Sequence, residues 1–177
     1  MSASIPAIPV RVADHDGISA NNDGHGGPSG PERRADATRR IQEQTGIDAA
    51  MIARVVDTFY GRVRADAELG PIFDALISDW DPHLERMRAF WASVTLKTGE
   101  YQGQPMRAHL PLPVDARHFD RWLALFAATV ADVCPPEAAE LFLLRARNIA
   151  DSLELGIAGA RGHMLRRGER LPPAGAA

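Results

Sequence analysis

Ile52, Val55, Val56, Phe59 and Val63 recur at i, i+3, i+4, i+7 and i+11, the spacing that gathers apolar side chains on one face of an α-helix. The interval returns along most of the chain. Phe119, Trp122, Leu123, Phe126 and Val130 repeat it, Phe142, Ala146, Ile149 and Leu153 carry it at i, i+4, i+7 and i+11, and Leu84, Met87, Trp91 and Val94 form a further row. The two-residue alternation of a half-buried strand is hardly seen. Four substantial helices are therefore predicted, over about 48 to 65, 81 to 98, 116 to 132 and 136 to 156, packed into an all-α domain.

The breaks between these stripes have chemical causes. Asp66 is placed to cap the short turn Ala67-Glu68-Leu69, which Gly70-Pro71 is expected to end. Asp81-Pro82 is a helix start, a capping carboxylate followed by proline, and Gly99 is expected in the left-handed position that closes that helix. From 99 to 114, Gly99, Gly103, Pro105, Pro111 and Pro113 leave room for a single turn of helix at about 105 to 109. Asp115 then caps the next helix, with Val114 and Phe119 placed as a hydrophobic staple. Pro135-Pro136 separates it from the last one, whose end Gly156 and Gly159 are expected to mark. Residues 1–40, rich in Gly, Pro, Asp, Asn and Ser, are expected to be a disordered extension, and 161–177 a flexible tail. His15 and His25 in that extension read as incidental.

Charge and cysteine content exclude several function classes. A formal net charge of -3 gives no general attraction to nucleic acid or to an anionic membrane. The single cysteine, Cys134, rules out an intramolecular disulfide, a four-cysteine zinc site and a covalent C-x-x-C-H haem attachment. No apolar run approaches the length of a membrane span and no secretory signal opens the chain, so a cytoplasmic protein is expected. Residue type alone goes no further. A histidine such as His109, beside a Pro-x-Pro stop, is ordinarily a solvated loop residue; His83 reads as a first-turn residue, Tyr60 as a core tyrosine and Trp122 as core filling. Arg117 and Arg121 at a helix start suggest a DNA-binding helix-turn-helix, against which the acidic balance stands.

Taken together, FYGRVRADAELGPIF (59–73), WDPHLERMRAFW (80–91), YQGQPMRAHLPLP (101–113) and HFDRWLALF (118–126) resemble the truncated haemoglobins, group III of that family above all. The resemblance covers about 47 to 157. It implies a globin-like, truncated 2-over-2 helical sandwich occupying 41–160, with non-covalent haem b as cofactor. His109, in its His-Leu-Pro-Leu-Pro context, matches the proximal histidine that binds iron, and His118, a rival by residue type, sits as an N3 residue of a helix. Tyr60 and Trp122 match the distal tyrosine and tryptophan, and His83 the histidine lying over the distal side. Phe73 matches the aromatic packed on the haem plane, Met87 the apolar position one turn after His83, and Trp91 a tryptophan near the haem edge. Phe90, Phe126 and Ile149 complete the expected apolar wall; Arg86, Arg107 and Arg117 are candidates to pair with the propionates.

The resemblance thus implies reversible binding of O2 or another diatomic such as NO or CO, helped by the neutral donors of Tyr60 and Trp122. Redox work on NO or peroxide would need an external reductase, because nothing in the chain reads as a flavin or nicotinamide site. A monomer is expected, without nucleic acid or membrane partners. The contrasting reading is a haem-free helical interaction or sensor module whose stripes are only core.

Overall fold

A computed structural model describes residues 29–173, and among them are seven helices and no strand. In chain order they are α1 (Gly30–Thr45), α2 (Ala49–Ala65), α3 (Gly70–Leu76), α4 (Trp80–Leu96), α5 (Pro105–His109), α6 (Ala116–Val133) and α7 (Pro136–Ala160). The apolar stripes become the buried faces: α2 buries Met51, Ile52, Val55, Val56, Phe59, Tyr60 and Val63, and α6 buries Phe119, Phe126, Thr129 and Val130. Since one striped face can be covered only by another, α2 packs on α4, α6 on α7, and α2 also lies against α6. Two helix pairs, one over the other, make the 2-over-2 sandwich. No described helix is long and apolar enough to cross a membrane.

Aromatic rings fill the centre. Phe126, fully buried, is stacked on Trp91 at 4.7 Å between ring centroids and on Trp122 at 5.3 Å, while Phe59 meets it edge-on at 5.1 Å. A smaller cluster of Val114, Phe119, Leu153, Ile157 and Leu171 lies toward the C-terminal end.

Several boundaries differ from expectation. The cap of α4 is Asp79, whose carboxylate accepts from the Asp81 amide, so Asp81 becomes a first-turn acid favoured by the helix dipole. Lys97, at φ 61°, closes α4 two residues before Gly99, its amide bonded to Ser93 O. Gly70-Pro71 opens a helix instead of ending a turn: a proline in the first turn, where the amides have no partner within the helix, sacrifices no helical hydrogen bond. Gly70 is also required by space, since a Cβ there would stand 2.8 Å from Arg64 O. This close approach seats α3, and with it Phe73, directly against the end of α2. At the other end, α7 runs through Gly156 and Gly159 to Ala160.

The expected terminal extensions also change. Ser29 and Glu32 form a capping box, so residues 30–40 are helical as part of α1. Thr38 Oγ1 ties this helix to Leu96 O at 2.6 Å. The rest of the expected extension, His15 and His25 included, lies outside the described residues. Residues 161–173 are held down: Leu171 is buried, its amide donates to Glu154 Oε1 at 2.7 Å and its carbonyl accepts from Ala116 N at 3.1 Å. The final residues, 174–177, lie outside the described part.

Candidate functional site

The helices enclose a cavity of about 400 Å³. Helical spacing builds its apolar walls: Met87, Phe90 and Trp91 (i, i+3, i+4) from α4, and Ile149 with Leu153 (i, i+4) from α7. Phe73 closes the side formed by α3. That placement depends on Asp66, whose Oδ1 accepts from the Glu68 and Leu69 amides and whose Oδ2 takes the Arg121 guanidinium at 2.7 Å. The Arg121 hydrogen bond holds the Asp66 carboxyl below the usual carboxylate range, so the ionised cap joins α2, α3 and α6 at neutral pH.

Five polar side chains reach the cavity from different elements: Tyr60 from α2, His83 from α4, His109 from α5, and Trp122 and His118 from α6. The Nδ1 of His109 lies 2.6 Å from Pro105 O, the carbonyl one helical turn back. A carbonyl can only accept, so Nδ1 carries the proton and the Nε2 lone pair is left available. His118 likewise has its Nδ1 engaged, here with its own cap, 3.0 Å from the Asp115 amide and 2.9 Å from Asp115 Oδ1. The N3 position read from the sequence is where the structure has it.

Tyr60 is buried, with its ring edge-on to Phe59 and 5.1 Å from the His83 ring. Burial, with the nearby Tyr101 phenol adding to it, pushes the Tyr60 hydroxyl far above the usual phenol range, so it keeps its proton. His83 is pushed the other way, chiefly by burial and further by Arg86 and His109, and its ring is neutral at pH 7. Its Nε2 is buried without a hydrogen-bond partner among the described residues. Trp122 stacks on Phe126 and contributes an indole N–H.

Of the residues proposed from the sequence, Tyr60, Phe73, His83, Met87, Phe90, Trp91, His109, Trp122 and Ile149 come together around this one space. Phe126 does not: it is fully buried behind Trp122 and supports the wall without forming it, because the two indoles stacked on it occupy the intervening layer. Arg86 lines the cavity, Arg107 is exposed outside it, and Arg117 is occupied by Asp115 at 3.1 Å. Sequence reasoning missed Tyr101, packed edge-on to Phe90 at 5.1 Å, and Leu112, Phe119 and Leu153. Phe119 and Leu153 sat in their helical stripes; Tyr101 and Leu112 lie in irregular chain with no period to signal them.

Among the described residues no group of three or more His, Cys, Asp or Glu side chains gathers to hold a metal ion by itself. The donor set instead fits a large flat apolar group that brings its own equatorial ligands and takes one imidazole nitrogen. Apolar walls, one histidine with a fixed tautomer, and neutral donors reaching the same space meet that requirement.

Comparison with known proteins agrees. The model of the family described as bacterial-like globin matches residues 40–152. The group 3 truncated hemoglobin ctb of Campylobacter jejuni is 35% identical over 122 residues, 66% of this chain and 96% of that protein. Among solved structures, a group III truncated hemoglobin from Campylobacter jejuni superposes with a TM-score of 0.57 at 38% identity, over 60% of this chain and 88% of that one. A thermostable hemoglobin from the actinobacterium Thermobifida fusca gives 0.54 at 26% identity, over 64% and 94%. With the fold, the cavity and the match over 40–152 in agreement, the chain belongs to the bacterial-like globin family, and its likeness runs to the group III truncated haemoglobins.

Proposed function

We propose that this globin reversibly binds O2, with NO and CO as other diatomics, at a non-covalent haem b whose single protein ligand is Nε2 of His109. One observation carries the reading: Nδ1 of His109 is spent on Pro105 O, while no protein hydrogen bond engages the Tyr60 hydroxyl or the Trp122 indole among the described residues. Haem, when bound, supplies a redox-active iron with a coordination position for a diatomic. The remaining work belongs to the chain. Donation from Nδ1 fixes the tautomer and the rotation of the His109 ring, and raises the basicity of Nε2. Tyr60 and Trp122 serve as neutral donors to a diatomic that carries partial negative charge, lowering its energy without introducing a counter-charge.

His83 serves as a third, weaker donor or as a gate, and Arg86 as a propionate partner. Phe73, Met87, Phe90, Trp91 and Ile149 exclude bulk water and so disfavour the charge separation that oxidises the metal. Phe126 acts from behind, by stiffening Trp122. Turnover of NO or peroxide draws electrons from an external reductase. The functional unit is proposed to span α1 to Leu171, acting as a cytoplasmic monomer.

Titrating the haem-free protein with haemin tests the cofactor reading. A Soret band that saturates at one equivalent, followed by a ferrous-CO spectrum of a histidine-ligated haem, is expected. A titration in which free haemin persists throughout would leave a haem-free helical module as the better account.

A further inference from the structure

Helix α5 has five residues, too few to hold its own orientation, because a single turn gains little for the backbone freedom it gives up. It is held from outside, by the apolar cluster of Val114, Phe119, Ala150 and Leu153 and by a part of the chain beyond residue 152, where the family match ends; the contacts with that last part are specific. Two contacts tie α5 and the loop after it to the end of α7. Arg161, the residue that closes α7, donates from Nη2 to Leu112 O at 2.6 Å, and the Leu112 amide donates to His109 O at 3.1 Å. Leu112 is thus held on both sides, its carbonyl by the guanidinium and its amide by the His109 backbone. Five residues before Arg161, Gly156 leaves a notch that Met106 fills: a Cβ there would stand 2.2 Å from Met106 Sδ. The segment after α7 is fastened in turn, since Arg170 bridges Glu154 and Asp120, each at 2.8 Å, and Leu171 O accepts from Ala116 N.

We propose that Arg161 is a positioning residue for His109, holding the loop after α5 so that Nε2 presents at a fixed height and tilt, with the Gly156 notch as the second fixing point. The proposal rests on His109 as the haem ligand and adds that the end of α7 controls the strain on that bond. An arginine suits the task because the carbonyl it grips lies in a Pro-x-Pro loop, where Pro111 and Pro113 offer no amides for a competing turn. The Nη1 of Arg161 is buried without a partner among the described residues, so the grip on Leu112 O rests on Nη2 alone, a single charged hydrogen bond that a lysine ammonium can also supply.

The test uses the full chain with Arg161→Ala, Arg161→Gln and Arg161→Lys. The first readout needs no cofactor: the Leu112 amide is expected to exchange with solvent roughly tenfold faster or more in Arg161→Ala and Arg161→Gln, and at close to the parent rate in Arg161→Lys. The second is the iron–histidine stretching band of the ferrous haem protein, expected to shift or broaden in the first two variants and to return in the lysine variant. Lowered thermal stability with an unmoved band and unchanged Leu112 exchange would overturn the proposal and leave Arg161 a merely structural residue. His109→Gly separates the two layers of the argument. A band that survives His109→Gly sinks the ligand assignment itself; a band lost in His109→Gly but unmoved in the Arg161 variants sinks only the positioning role.

Discussion

Tyr60→Phe is expected to raise the O2 dissociation rate roughly ten- to a hundredfold, the kinetic equivalent of losing one hydrogen bond of about 1.5–3 kcal/mol to a charged acceptor. Three features make the substitution a clean test. The Tyr60 ring is fixed by edge contacts with Phe59, Phe73 and His83, which phenylalanine keeps. Burial holds the hydroxyl in its protonated form, so its donor role does not change near neutral pH. The hydroxyl also makes no hydrogen bond to the protein among the described residues, so its removal orphans no other group, and fold stability should hold or rise slightly. Displacement of O2 by CO in a stopped-flow instrument reads the rate. A rate unchanged within error would move the donor to Trp122 or His83. With Tyr60 and Trp122 proposed as donors to the same ligand, the double variant is expected to lose less than the sum of the two single losses.

Phe126→Ala is expected to cost about 3–5 kcal/mol of folding stability, the range for deleting a large buried aromatic. Phe126 is fully buried and in ring contact with Trp91, Trp122, Phe59 and Phe142, so no single neighbour can collapse into the space without breaking another contact. Chemical denaturation of the haem-free protein measures the cost apart from any cofactor linkage. A loss below about 1.5 kcal/mol would mean that the two indoles close on each other, and that the stack is not the rigid backing assigned to it. Since Trp122 is held from behind by this ring, faster O2 release should accompany the loss of stability.

These two residues also show how much could be read from the sequence. The stripes on α2, α6 and α7 are period signals that packing later satisfies, so the all-α domain was legible from them, while the sandwich and the residues of the cavity wall came from the resemblance. Phe126 shows the limit of that signal: the period puts it on the buried face of α6, but the same face lines the cavity at Trp122 and the core one turn on. Position α1 was missed because it contributes no fully buried residue and hence no strong stripe; its signal was the Ser29-x-x-Glu32 capping box. Gly70 and Gly156 were read as breakers, the usual meaning of a glycine, whereas each is needed because another group stands where its Cβ would be. Such close approaches depend on residues distant in sequence, Met106 for Gly156, and leave no local pattern. The docking of Leu171 and the grip of Arg161 on Leu112 are long-range in the same way.

The account stands on His109 Nε2 as the protein's one bond to the cofactor iron, and the ferrous absorption spectrum of His109→Gly, recorded with and without added imidazole, tests it most directly. Weak haem retention and an altered ferrous spectrum, both returning toward the parent when imidazole fills the space left by the side chain, are the predicted result, with His118→Gly leaving the parent spectrum intact. Full haem retention and an unaltered ferrous spectrum in His109→Gly without imidazole would contradict it.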